Sequence, residues 1–155
     1  MVTADTPCLT GGCLCGAVRY RLASAPFEAG YCLCRMCQRT AGAPALVFAT
    51  APLADYVPIR GQPKRHRSSD FGERWFCADC GSPLAMRADH PPETLDVTVA
   101  SLDDPTAAPP EFHIWTRSRI SWFEVADRLP RRAKFRPRTP GLEDGSERAV
   151  DGASL

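Results

Sequence analysis

The stretch 31–40, YCLCRMCQRT, places Cys32, Cys34 and Cys37 as three thiols within six residues. A closed tetrahedral zinc site takes four protein ligands, whereas three leave a coordination position for something else, so the ligand count separates scaffold from chemistry. What this triad does therefore depends on where the other cysteines go: Cys8, Cys13, Cys15, Cys77 and Cys80.

Cys13 and Cys15 form a C-x-C pair, and residues i and i+2 of an extended strand point to the same face, so both sulfurs can meet one ion. Cys77 and Cys80 form C-x-x-C in FCADCGSPL, where Gly81 lets the chain fold back after a tight turn. Together the two pairs make a site of four thiolates that ties the start of the domain to its middle. Cys8 is then the only spare thiol for the triad. If it closes that site, the chain carries two structural ions; if it lies elsewhere, the triad can accept water or an outside thiol and do Lewis-acid chemistry. Spacing alone does not choose between these.

At 155 residues the chain is long enough for one domain with a real core. Its net charge of +1 gives no reason to expect nucleic acid or an anionic membrane as the main partner. The opening MVTADTPCLTGG has neither a basic nor an apolar leader region, and no run approaches the ~18 apolar residues of a membrane helix. The expected location is the cytoplasm, where thiols stay reduced, so eight cysteines read as metal ligands or reactive thiols rather than disulfides.

Fifteen prolines and eleven glycines leave no long amphipathic helix, and the pattern predicts short strands. AVRYRL alternates Val18, Tyr20 and Leu22, and TLDVTVASL alternates Leu95, Val97 and Val99; PALVFAT, SPLAMRA and 112–115 are further candidates. One or two helical turns follow Cys34, stopped by Gly42. The segment from Pro137 is polar, rich in Pro and Gly and without aromatics, so the expected organisation is a domain over 1–137 and a disordered tail over 138–155.

With the cysteines placed, the chain resembles the glutathione-dependent formaldehyde-activating enzyme family, which also includes centromere protein V. The matching pieces run in family order: GGCLCGAVRY, YCLCRMCQRTAG, RGQPKRHRSS, RWFCADCGSPL and EFHIWTRSRISWFEVADRLP. The resemblance implies a mainly β, Mss4-like (β-tent) domain of short antiparallel strands with little helix. It implies two zinc ions per chain, one structural at Cys13, Cys15, Cys77 and Cys80 and one catalytic at Cys32, Cys34 and Cys37. It also implies a carbon-sulfur lyase resembling S-(hydroxymethyl)glutathione synthase, in which a glutathione thiol adds to formaldehyde or a related aldehyde, or the reverse cleavage occurs. Family members commonly carry a polar residue, often histidine, between the first two triad cysteines, where this chain has Leu33. The rival class is a non-catalytic zinc module for protein or nucleic-acid contact.

Arg35 and Arg39 flank the triad and are the candidate substrate-binding residues, suited to the two carboxylates of glutathione or another small thiol conjugate. His113 reads as a satisfied core histidine on a strand, with a base or donor near the triad as the sharper alternative. Trp75, Trp115 and Trp122 read as core. Arg128, Arg131, Arg132, Lys134, Arg136 and Arg138 form a basic run around Phe135 that can track phosphates, although beside the tail it reads better as a solvated end than as a nucleic-acid site.

Overall fold

The computed structural model describes residues 8–135. Ten short strands and one helix follow in chain order: β1 Leu9–Gly12, β2 Arg19–Leu22, β3 Phe27–Cys32, α1 Arg35–Ala41, β4 Leu46–Pro52, β5 Tyr56–Arg60, β6 Lys64–Ser69, β7 Gly72–Phe76, β8 Pro83–Ala88, β9 Thr94–Thr98 and β10 Phe112–Ile114. The chain is mainly β, as its Pro and Gly content predicts. Arg136, Arg138 and the tail expected over 138–155 lie outside the described residues.

Two sheets form. β1, β2 and β5 make a three-stranded sheet, and the other strands make a seven-stranded one in the order β10-β3-β4-β9-β8-β7-β6. Every pairing is antiparallel except that of β10 with β3. The core lies between the sheets: Tyr20, Leu22 and Tyr56 come from the smaller, and Ala49, Ala51, Trp75, Leu84, Leu95 and Val97 from the larger. Tyr56 stacks on Tyr20 at 4.7 Å between ring centroids and meets Trp75 edge-on at 5.4 Å.

The period of two in a strand decides what the other face of the large sheet carries. Where Leu95 and Val97 point into the core, Thr94, Asp96 and Thr98 line a cavity on the opposite face. On β7, Trp75 takes the core and Arg74 the cavity. Cross-strand register aligns His66, Arg74, Met86, Asp96 and Thr50 in one row over β6, β7, β8, β9 and β4. Val99, expected to extend the β9 alternation, begins a single 3-10 turn and is still buried.

Gly61 has a left-handed φ of +58°, and a Cβ there would lie 2.2 Å from the Ala17 carbonyl oxygen. Backbone strain and clash act together, so Gly61→Ala is expected to cost about 1–3 kcal/mol. A thermal melt should show this as a drop of roughly 2–4 °C per kcal/mol for a chain of this size.

Candidate metal centre

The four-cysteine group is built from two turns. β1 ends at Gly12, so Cys13 and Cys15 lie in a turn rather than on the extended strand that the C-x-C spacing suggested. Gly16, at φ +77°, and its amide bond to the Cys13 carbonyl at 3.2 Å close that turn. Cys77 and Cys80 occupy the expected second turn, with Gly81 at φ +75° donating to the Cys77 carbonyl at 2.9 Å. The Leu14 amide donates to Ser82 Oγ at 3.0 Å and joins the two turns.

All four sulfurs lie within 4.8 Å of one another. Cys13 and Cys15 are 3.5 Å apart, and Cys15 and Cys77 3.8 Å. A tetrahedron with Zn–S bonds of ~2.3 Å has S···S edges of ~3.8 Å, so the donor set fits a zinc ion. The Ser82 hydroxyl and amide hold the Cys80 thiol down at about 5. The Ala17 amide pulls the Cys15 thiol down, but the neighbouring thiols together outweigh it and push Cys15 up to about 12. A dication held between them would stabilise all four as thiolates.

The triad is assembled where β3 runs into α1. Cys34 is the helix N-cap, its sulfur accepting from the Cys37 amide at 3.3 Å, and Gly42 closes the other end at φ +61°, as its position after Ala41 predicts. Gln38 is buried, and its amide nitrogen donates to the carbonyls of Leu33 at 2.8 Å and Ser118 at 3.1 Å. That side chain locks the cysteine loop to the segment after β10. Cys32, Cys34 and Cys37 are all buried, their sulfurs within 4.8 Å of one another. Hydrogen bonds from Cys32 and Cys37 hold Cys34 down at about 3, while Cys32 is pushed well above the usual thiol range.

No fourth Cys, His, Asp or Glu donor of the described residues joins the triad within that distance. Cys8, the possible closing ligand, is exposed just ahead of β1 and belongs to neither group. The donor set is therefore three sulfurs, a number that suits a metal with one position for an outside ligand. Leu33 is 2 % exposed and lines a separate, smaller cavity with His113 and Arg119. At this position the side chain points away from the triad's cavity.

The triad opens on a cavity of about 510 Å³, also lined by Phe48, Arg74, Asp96, Trp115 and Phe135. This is within the ~300–1,000 Å³ of small-molecule sites. Arg35 and Arg39 are exposed on α1 and do not line it, though Met36 and Thr40 of the same helix do. Arg74, which the sequence reading did not single out, is the arginine of the cavity wall: Nη2 donates to Cys37 Sγ at 3.6 Å. A polar residue on a strand reads as solvent-facing, and only the register with β6 and β8 shows that this face is covered.

His113 is buried on β10, stacked on Tyr31 at 4.6 Å and bonded through Nε2 to Asp127 at 2.9 Å, which is the satisfied core histidine expected. Trp75 and Trp115 are buried, but Trp122 is 74 % exposed, against the core role expected of it. It lies beyond the last strand, where no sheet alternation buries every second residue. β10 also ends at Ile114, one residue short of the strand expected, because Trp115 adopts a left-handed φ of 59°.

The arginines that begin the basic run, Arg128, Arg131 and Arg132, are exposed as a solvated end predicts, but the backbone there is paired. The His113 amide donates to the Pro130 carbonyl at 2.8 Å, the Arg132 amide to His113 at 2.9 Å and the Trp115 amide to Lys134 at 2.9 Å. Residues 130–134 thus run along β10, and Phe135 meets Trp115 edge-on at 4.7 Å, completing the cavity wall.

Residues 8–118 match the family model described as glutathione-dependent formaldehyde-activating enzyme. A Halomonas elongata protein named "Putative glutathione-dependent formaldehyde-activating enzyme" is 30% identical over 129 residues, covering 77% of this chain and 82% of that one. A crystal structure of a Rhodobacter sphaeroides protein is similar at a TM-score of 0.51 and 30% identity, over 61% of this chain and 87% of the other. No helix of the described residues is long and apolar enough to cross a membrane. With the two cysteine groups and the cavity in place, these matches establish that the chain belongs to the glutathione-dependent formaldehyde-activating enzyme family.

Proposed function

We propose that the chain is a zinc-dependent carbon-sulfur lyase that joins the thiol of glutathione to formaldehyde or a related small aldehyde, or cleaves such an adduct. Cys13, Cys15, Cys77 and Cys80 hold a structural zinc, and Cys32, Cys34 and Cys37 hold a catalytic one. The observation that carries this reading is the triad itself: three buried sulfurs, facing a cavity, with no fourth donor from the described residues. Zinc at the triad would supply stabilisation of a substrate thiolate near neutral pH.

The chain's own residues do the rest. The aromatic wall of Phe48, Trp115 and Phe135 flanks the cavity on which the triad opens, where the bound sulfur meets the carbonyl carbon. A carbon-sulfur bond forms, the carbonyl π pair moves to oxygen, and that oxygen takes the proton the thiol gave up. We assign the outer carboxylates of glutathione to Arg35 and Arg39, carried on the helix whose Met36 and Thr40 border the cavity.

Thiol addition to formaldehyde also proceeds without a catalyst, so the test must measure rate rather than yield. Exchange between free glutathione and its formaldehyde adduct, followed by NMR magnetisation transfer, should accelerate in proportion to protein. Exchange identical to that in buffer, for formaldehyde and a panel of small aldehydes, would leave a non-catalytic zinc module as the better account.

A further inference from the structure

Arg74 is a cation in an unusual place. It is 7 % exposed on the cavity face of β7, its Nε is buried without a hydrogen-bond partner, and its hydrogen bond ends on a cysteine sulfur. A guanidinium stays charged in any protein environment and is costly to bury without compensation. The carboxylate in its own cross-strand row, Asp96, is two strands away, roughly 10 Å by strand spacing, and accepts from Thr50 at 2.7 Å. No ion pair within 4 Å joins Arg74 to a carboxylate of the described residues, and the group its guanidinium touches is the triad, through Cys37 Sγ.

Three cysteine thiolates around a divalent cation sum to one negative charge, and a thiolate as fourth ligand raises this to two. Such a charge is expensive beside Phe48, Phe71, Trp115 and Phe135, which line the same cavity. A neutral ligand adds none. On the functional reading above, we propose that Arg74 is a positioning and selectivity residue: its guanidinium, bonded to Cys37 Sγ, offsets the added charge and so favours an anionic sulfur over a neutral fourth ligand.

The test loads the wild type, Arg74→Met and Arg74→Lys with cobalt at the triad and follows visible absorption during two titrations. One uses 2-mercaptoethanol, which has no carboxylate, and the other imidazole, above its own pKa. Arg74→Met should bind the thiol about 10- to 100-fold more weakly, the size of a lost hydrogen bond to a charged group, while imidazole binding changes less than ~2-fold. Arg74→Lys, which keeps the charge, should fall between and decides the matter if the methionine variant does not fold. Unchanged thiol affinity, or equal loss for both ligands, overturns the proposal. So does a loss seen in a parallel glutathione titration and not with 2-mercaptoethanol, which would make Arg74 a carboxylate reader. A wild type indifferent to both thiols overturns the functional reading itself, and this proposal with it.

Discussion

Replacing Cys77 with serine is expected to unfold the protein. Cys77 is 1 % exposed, belongs to the main core and contributes one of four sulfurs to a group that brings it against Cys15, 62 residues away along the chain. Treated as a cross-link, closing a loop of that length restricts the unfolded chain by about 4 kcal/mol. Structural zinc contributes more, with apparent binding energies of ~10–16 kcal/mol that appear as folding energy, against a whole-domain stability of ~5–15 kcal/mol. The variant should therefore show no cooperative melt, and chelation should do the same to the wild type. Acid should act in the same direction, because the sulfurs must be deprotonated to hold the ion. A Cys77→Ser protein that melts cooperatively near the wild-type temperature would show that the four sulfurs do not hold the fold together.

Cys34→Ser is expected to separate chemistry from folding. The Cys34 sulfur both caps α1 and belongs to the triad, and serine is a favoured N-cap, so the substitution keeps the first role while removing the second. Metal analysis should find one zinc per chain instead of two, and the protein should still melt cooperatively, at a temperature lowered by the loss of the second ion rather than by the loss of the cap. Exchange of the glutathione adduct should fall to the rate without protein, since the triad is where the reading places the catalytic ion. A variant that keeps its activity would move the chemistry elsewhere.

The two cysteine groups were legible in the sequence because metal ligation demands a fixed donor type at short, characteristic spacings, and both partitions appear in space. The alternating strands 18–22 and 94–99 were legible because one of their faces meets the main core. Arg74 was not, since a strand with one polar face looks the same whether that face meets water or a second cavity. The place of Phe135 was hidden for a related reason. Its basic neighbours suggest solvent, and only the backbone ladder of 130–134 with β10 carries the chain back over the site. Cys8 could not be placed by spacing at all, because its distance from the triad depends on which sheet β1 joins. It precedes a strand of the small sheet, whereas the triad is anchored on the large one.

The central claim is that the triad takes a sulfur ligand from outside the chain. Cobalt at the triad, with zinc left in the four-cysteine site, gives a direct measure in the thiolate-to-metal absorption during a glutathione titration. The account predicts a saturable change, the same in the wild type and in Cys8→Ser. A spectrum indifferent to glutathione, or loss of the second metal in Cys8→Ser, would contradict it.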